Sequence, residues 1–328
     1  MLISEGRYRV VSQYSTPHLK GSTITSLDTD FIEKRFIVGS TENGYFFLYD
    51  AIKLQPIFCT CLPCPTIITD IKWRKDQKNN FLTSSYDNYV RIYNTAKYQE
   101  PFIEYDCGTK VFSCSFNSKS PIIAAALDKG LTRIFDIRES ANLIGLKAPK
   151  QTIINVVEWA SDSSVVCGDE EGNLYLFDIR NPYSPFQFGW WKQSLFDTND
   201  LPAHDQPIIG ITMSENGRQI YSLDKQGCIR QWSVDEGTST FLQYMLKTPP
   251  NFARNVQMCT HNEDLFVPES NAIINMTKSQ ALFGHVMEIV ALTAFDDGIA
   301  SAGCDSFMCV WRPEEQIGPI CDVSDWSD

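Results

Sequence analysis

Histidine is scarce in this chain of 328 residues: only His18, His204, His261 and His285 occur. That leaves little for general acid–base chemistry or zinc ligation. No GxSxG, P-loop, HExxH or dinucleotide-binding glycine pattern is present, so no specific catalytic machinery is indicated. No stretch reaches the roughly 18 apolar residues of a membrane-spanning helix, and the N-terminal MLISEGRYRV lacks an apolar signal core. Basic residues are outnumbered, 28 against 40 acidic ones, for a net charge of -12. A chain of that charge repels nucleic acid, which argues against sequence-specific nucleic-acid binding. The 11 cysteines are an odd set without paired spacing, and the crowded Cys59, Cys61 and Cys64 have no second pair or nearby histidine. They read as reduced thiols of an intracellular protein, with no metal or other cofactor expected.

What the chain does have is a recurring phrase, a run of β-formers ending in an aromatic and a polar residue. Its copies are Phe46–Asp50, Val90–Asn94, Leu131–Asp136, Leu174–Asp178, Cys228–Ser233 and Met308–Arg312. The first four lie roughly 42–44 residues apart, the period of four-stranded propeller blades. Gly44, Gly130, Gly172 and Gly227 each stand five positions before the aromatic, where a tight turn needs φ > 0. Upstream runs ending in Trp73 and Trp159 give a second register mark, and no long amphipathic helix is evident. The gap between 233 and 312 holds a degenerate unit around Leu265–Met276. The expected fold is therefore all-β, a seven-bladed β-propeller over residues 1–315. Its blade ends fall near 50, 94, 136, 178, 233, 276 and 312. An N-terminal strand over Tyr8–Ser12 pairs beside the last blade and closes the ring, which removes exposed sheet edges. Residues 316–328 read as an acidic, disordered tail.

Three local features suggest sites. Asp136–Ile137–Arg138 and Asp178–Ile179–Arg180 end successive blades on one rim, so two guanidinium groups would stand side by side, ready to grip carboxylates. The bland alternative is a strand end with a solvated arginine. Trp190 and Trp191 end an outer strand expected over FQFGWW; facing opposite sides, one is expected inside and one outside as a partner anchor. The acidic stretch Asp197–Asp205 leads to the opposite face of the ring and suits a basic partner.

The last blade, with Gly284–His285, Ser301, Asp305 and Trp311, resembles the WD40 propellers. In that family His, Ser, Asp and Trp form a hydrogen-bonded chain that locks the blade. His204, Ser222 and Trp232 repeat it in the fifth blade, though Asp224 stands two positions earlier than Asp305 does. The other blades end in Tyr or Phe and are expected to lack the chain. In order of segments, the sequence further resembles the family of the Cockayne syndrome group A protein. The segments are Thr83–Thr95, Ala203–Trp232, Leu265–Pro268 and Leu282–Pro313. Members of that family carry a helical segment ahead of the first strand; here only MLISEG stands there. The resemblance implies a nuclear, non-catalytic substrate receptor of a cullin-4 ubiquitin ligase in transcription-coupled nucleotide excision repair. Its partners would be the ligase's damaged-DNA-binding adaptor, and RNA polymerase II and repair factors as substrates, with no membrane involved. The family's adaptor motif, W-D-x-R, falls on Asp178 and Arg180 with Phe177 in place of Trp, and a second copy on Asp136 and Arg138. The alternative from the repeat alone is a WD40 scaffold in another assembly, such as RNA processing or chromatin.

Overall fold

A computed structural model describes residues 8–15, 18–139, 142–189, 202–251 and 255–314. Among these residues there are twenty-eight strands and no α-helix. The strands form seven antiparallel four-stranded sheets. Six are consecutive in the chain, spanning 24–61, 68–106, 113–147, 154–188, 208–245 and 259–283. The seventh takes three strands from 289–313, and its outer strand is Tyr8–Tyr14 from the other end of the chain. That strand pairs antiparallel with Met308–Pro313, with Val10 opposite Trp311. The innermost strands of successive sheets pack on one another, first against seventh included, so the ring is closed. The protein is a seven-bladed β-propeller.

Alternation along each strand explains why no blade stands alone. In Tyr45–Asp50, Phe46 and Leu48 enter the core between blades 1 and 2, while Phe47 and Tyr49 enter the core between blades 7 and 1. The same division gives seven apolar clusters among the described residues, one between each pair of neighbours. A single sheet would leave both faces wet; stacking in a ring buries both. Trp73 and Trp159, the register marks, end the innermost strands Ile68–Trp73 and Ile154–Trp159 and are buried.

The recurring phrase forms the third strand of its sheet; a fourth, outer strand follows it in blades 1 to 5, and in blade 7 that place is taken by Tyr8–Tyr14. The glycine ahead of the phrase does adopt positive φ, 82° at Gly172. It meets a second demand that the spacing did not reveal. A Cβ at Gly172 would collide with the backbone of His204, in the linker to blade 5, whose N–H donates to the Gly172 carbonyl at 2.9 Å. The turn and the linker therefore meet backbone to backbone, and only glycine permits it.

Candidate docking surface

Among the described residues, two blades carry a buried polar chain of His, Ser, Asp and Trp. In blade 5, Trp232 Nε1 donates to Ser222 Oγ at 2.7 Å, Ser222 Oγ lies 2.6 Å from His204 Nε2, and His204 Nδ1 lies 2.9 Å from Asp224 Oδ2. Indole N–H is only a donor, so the direction is set. Ser222 accepts from Trp232 and donates to His204, whose Nδ1–H donates to Asp224. His204 is completely buried, and desolvation lowers its pKa, which keeps this neutral tautomer. Blade 7 repeats the chain through Trp311, Ser301, His285 and Asp305 at 2.7, 2.7 and 2.8 Å. The displaced Asp224 thus reaches the same imidazole nitrogen as Asp305. It also caps its own turn, accepting N–H groups of Gln226 and Cys228, both at 2.9 Å. His204, Asp224 and Cys228 are close enough to ligate an ion, but His204 and Asp224 already satisfy one another inside the blade.

The Asp-Ile-Arg corners divide their work residue by residue. Asp136 and Asp178 end the third strands of adjacent blades, which run the same way, so both corners leave on one face. Each aspartate accepts the backbone N–H two residues on, at 2.9 Å, an Asx turn that reverses the chain into the outer strand. Ile137 and Ile179 pack into the flanking inter-blade cores. Arg138 and Arg180 remain 72% and 75% exposed at their side chains.

The structure differs from the sequence expectation in one respect. The two forks are not open; each folds back on its own aspartate. Arg138 Nε and Nη2 contact Asp136 at 3.0 and 2.6 Å; Arg180 Nε and Nη2 contact Asp178 at 2.9 and 2.7 Å. The i,i+2 geometry of the Asx turn brings fork and carboxylate together before any partner arrives. These bonds hold both carboxyls below the usual aspartate range. The exposed surface is therefore a pair of pre-oriented, charge-paired guanidinium planes.

Sequence reasoning missed Tyr183. It stands three residues beyond Arg180 on the outer strand Asn181–Phe188 and is 92% exposed. The outer strands of blades 3 and 4 touch, and Leu143, also exposed, lies on the neighbouring one. Tyrosine and arginine are the residue types enriched where proteins bind proteins. The period-two pattern around Tyr183 is interrupted by Pro182 and Pro185, which hid it. Trp190 and Trp191 lie outside the described residues, as do 197–201 of the acidic stretch and the tail from 315. Phe186 and Phe188 before the tryptophans do lie on an outer strand, and Phe188 is buried against Trp232. Cys59 and Cys61 lie on the outer strand Gln55–Cys61 of blade 1, and they and Cys64 are free thiols.

No protein-family model matches the chain. Among curated proteins it is similar to the WD repeat-containing protein 91 homolog of Dictyostelium discoideum, 24% identical over 170 residues, 48% of this chain and 22% of that protein. It is similar to Protein SPA1-RELATED 3 of Arabidopsis thaliana, 24% identical over 121 residues, 36% of this chain and 14% of that protein. A third relative is radiation-sensitive protein 28 of Saccharomyces cerevisiae, 24% identical over 190 residues, 50% of this chain and 37% of that protein. The chain thus spans well under half the length of each of these relatives. WD repeats among the relatives agree with the closed seven-blade ring and the two His–Ser–Asp–Trp chains found here.

Proposed function

We propose that this WD40-repeat propeller is a nuclear, non-catalytic substrate receptor of a cullin-4 type ubiquitin ligase, acting in transcription-coupled nucleotide excision repair. Propellers of this kind generally serve as scaffolds that mediate protein interactions. One observation carries the finer reading: Asp136–Arg138 and Asp178–Arg180 present two identical, exposed guanidinium corners on one face of adjacent blades. On the sequence resemblance to the Cockayne syndrome group A family, these would be the positions of its adaptor motif, with Phe177 in place of Trp. A relative named for radiation sensitivity agrees with a repair role. The damaged-DNA-binding adaptor would seat on this rim, with Tyr183 as an aromatic neighbour. RNA polymerase II and repair factors would occupy other surfaces as substrates. Ubiquitin transfer would belong to other subunits.

The test is a binding titration of purified adaptor against wild type and the Arg138→Ala/Arg180→Ala double variant. Both side chains are exposed, so the fold survives their removal. The expected result is at least tenfold weaker binding. Undiminished binding removes the corners from the site, and no binding by wild type removes the ligase reading. The second reading, a scaffold in an RNA-processing or chromatin assembly, is favoured if affinity purification returns those components and no ligase adaptor.

A further inference from the structure

The ring axis holds a cavity of about 400 Å³, opening on the face of the turns between first and second strands. That is within the usual range of small-ligand sites, about 300–1,000 Å³. Two amides from the linker into the degenerate blade reach across the axis and form its inner end. Asn255 Nδ2 donates to the carbonyls of Phe112 and Asn155 at 2.9 and 2.6 Å. Gln257 Nε2 donates to Ser26 Oγ at 2.7 Å, and its Oε1 accepts from Leu27 N at 2.8 Å. A second cavity of about 170 Å³ lies beyond Asn255.

The larger cavity is built from charged groups of both signs. Asp70 is fully engaged, by Ser26 Oγ at 2.7 Å, Ser113 Oγ at 3.0 Å, Gln257 Nε2 at 3.2 Å and Lys72 Nζ at 3.6 Å. Glu158 takes Ser115 Oγ at 2.9 Å and Lys75 Nζ at 3.7 Å. Among the described residues, Asp28 accepts Trp73 N at 2.7 Å and feels the attracting charges of Lys72 and Lys75 and the repelling charge of Glu158. Glu215 stands at the mouth. Four carboxylates thus face two ammonium groups, and the cavity is short of positive charge. Burial raises Asp28 to about 6, against the opposing pull of Lys72, as expected of a carboxylate lacking a full partner. Phe31, 62% exposed, lies on the lip, where a ring face can stack on a cation. No three of these carboxylates converge closely enough to hold an ion. Among the described residues that closeness occurs at His204, Asp224 and Cys228 alone, inside blade 5.

We propose that the cavity receives a cationic side chain, arginine or lysine, from a partner polypeptide. The charged head sits between Asp28 and Glu158 and the aliphatic stem lies against Phe31. Such a site takes one residue of a loop, not a helix or a nucleic acid, because the wall is closed at Asn255 and Gln257. It is independent of the corner arginines and of the ligase reading.

The experiment titrates the intact protein with N-acetyl-arginine amide, N-acetyl-lysine amide and the neutral N-acetyl-glutamine amide, followed by NMR or calorimetry. The expected result is saturable binding of at least one cationic probe, at least tenfold tighter than the neutral one. Whichever cation binds tighter names the residue. Asp28→Asn keeps an acceptor for Trp73 N and is expected to weaken the cation at least fivefold. Phe31→Ala, at an exposed position, is expected to weaken it as well, and Arg138→Ala/Arg180→Ala to leave it unchanged. Equal affinity for neutral and cationic probes overturns the proposal. So does full binding by both cavity variants, or the absence of binding by either cation.

Discussion

Removing one oxygen atom tests the reading of the buried chain in blade 5. In Ser222→Ala, Trp232 Nε1–H loses the acceptor it has at 2.7 Å, and His204 Nε2 loses the donor at 2.6 Å. All three side chains are inaccessible to water, so no solvent molecule replaces the hydroxyl. Each buried orphan costs about 1–3 kcal/mol, and the pair should cost about 3 kcal/mol. The molecule contains its own control. Blade 3 has Ala125 and Phe135 at the places of Ser222 and Trp232, and both are buried with no polar side chain to satisfy. The Ser222→Ala/Trp232→Phe double variant copies that pair. It removes the indole orphan along with its acceptor, so it should be more stable than the sum of the single variants by about 1–2 kcal/mol. Urea unfolding followed by far-ultraviolet circular dichroism gives the four stabilities of the cycle. A cost under about 0.5 kcal/mol for Ser222→Ala, or strict additivity in the cycle, would refute the chain as a stabilising unit.

Two further outcomes follow from the same structure. His204 is held neutral by burial, its folded pKa lying below the unfolded value of about 6.5, so its contribution is intact above that pH and is lost as pH falls below it. Asp28 acts in the opposite sense. Its folded pKa near 6 lies above the unfolded value, so it relieves strain as pH falls through 6. Urea midpoints between pH 8 and pH 5 should therefore decline more steeply in Asp28→Asn than in wild type, and an identical slope would contradict the assignment. Gly172→Ala forces a side chain onto φ 82° and against the His204 backbone; it should cost more than about 1 kcal/mol and raise hydrogen exchange in the linker to blade 5.

The two turn aspartates show how far spacing carries. Resemblance to the WD40 propellers places Asp305 in its chain, and it lies 2.8 Å from His285. Asp224, two positions earlier in its repeat, gave no such signal. Its carboxylate reaches His204 because the turn Asp224–Gly227 folds the chain back on itself, and only that approach in space reveals it. The corner arginines divide likewise. Their repetition and shared face were readable from Ile-Arg after two strand ends; their closure on Asp136 and Asp178 was not, because it depends on a backbone turn between them.

Number of blades, all-β character and the glycine turns were present in one dimension, because a period near 43 residues and a two-residue alternation are local properties of the chain. The axial cavity was not. Asp28, Asp70 and Glu158 come from three different blades and Gln257 from a linker, and Tyr183 becomes a surface aromatic only where two outer strands lie side by side. Charges separated by as many as 187 positions, Asp28 and Glu215, meet only when the ring closes, and that closure is the work of seven shared apolar cores that no single repeat contains.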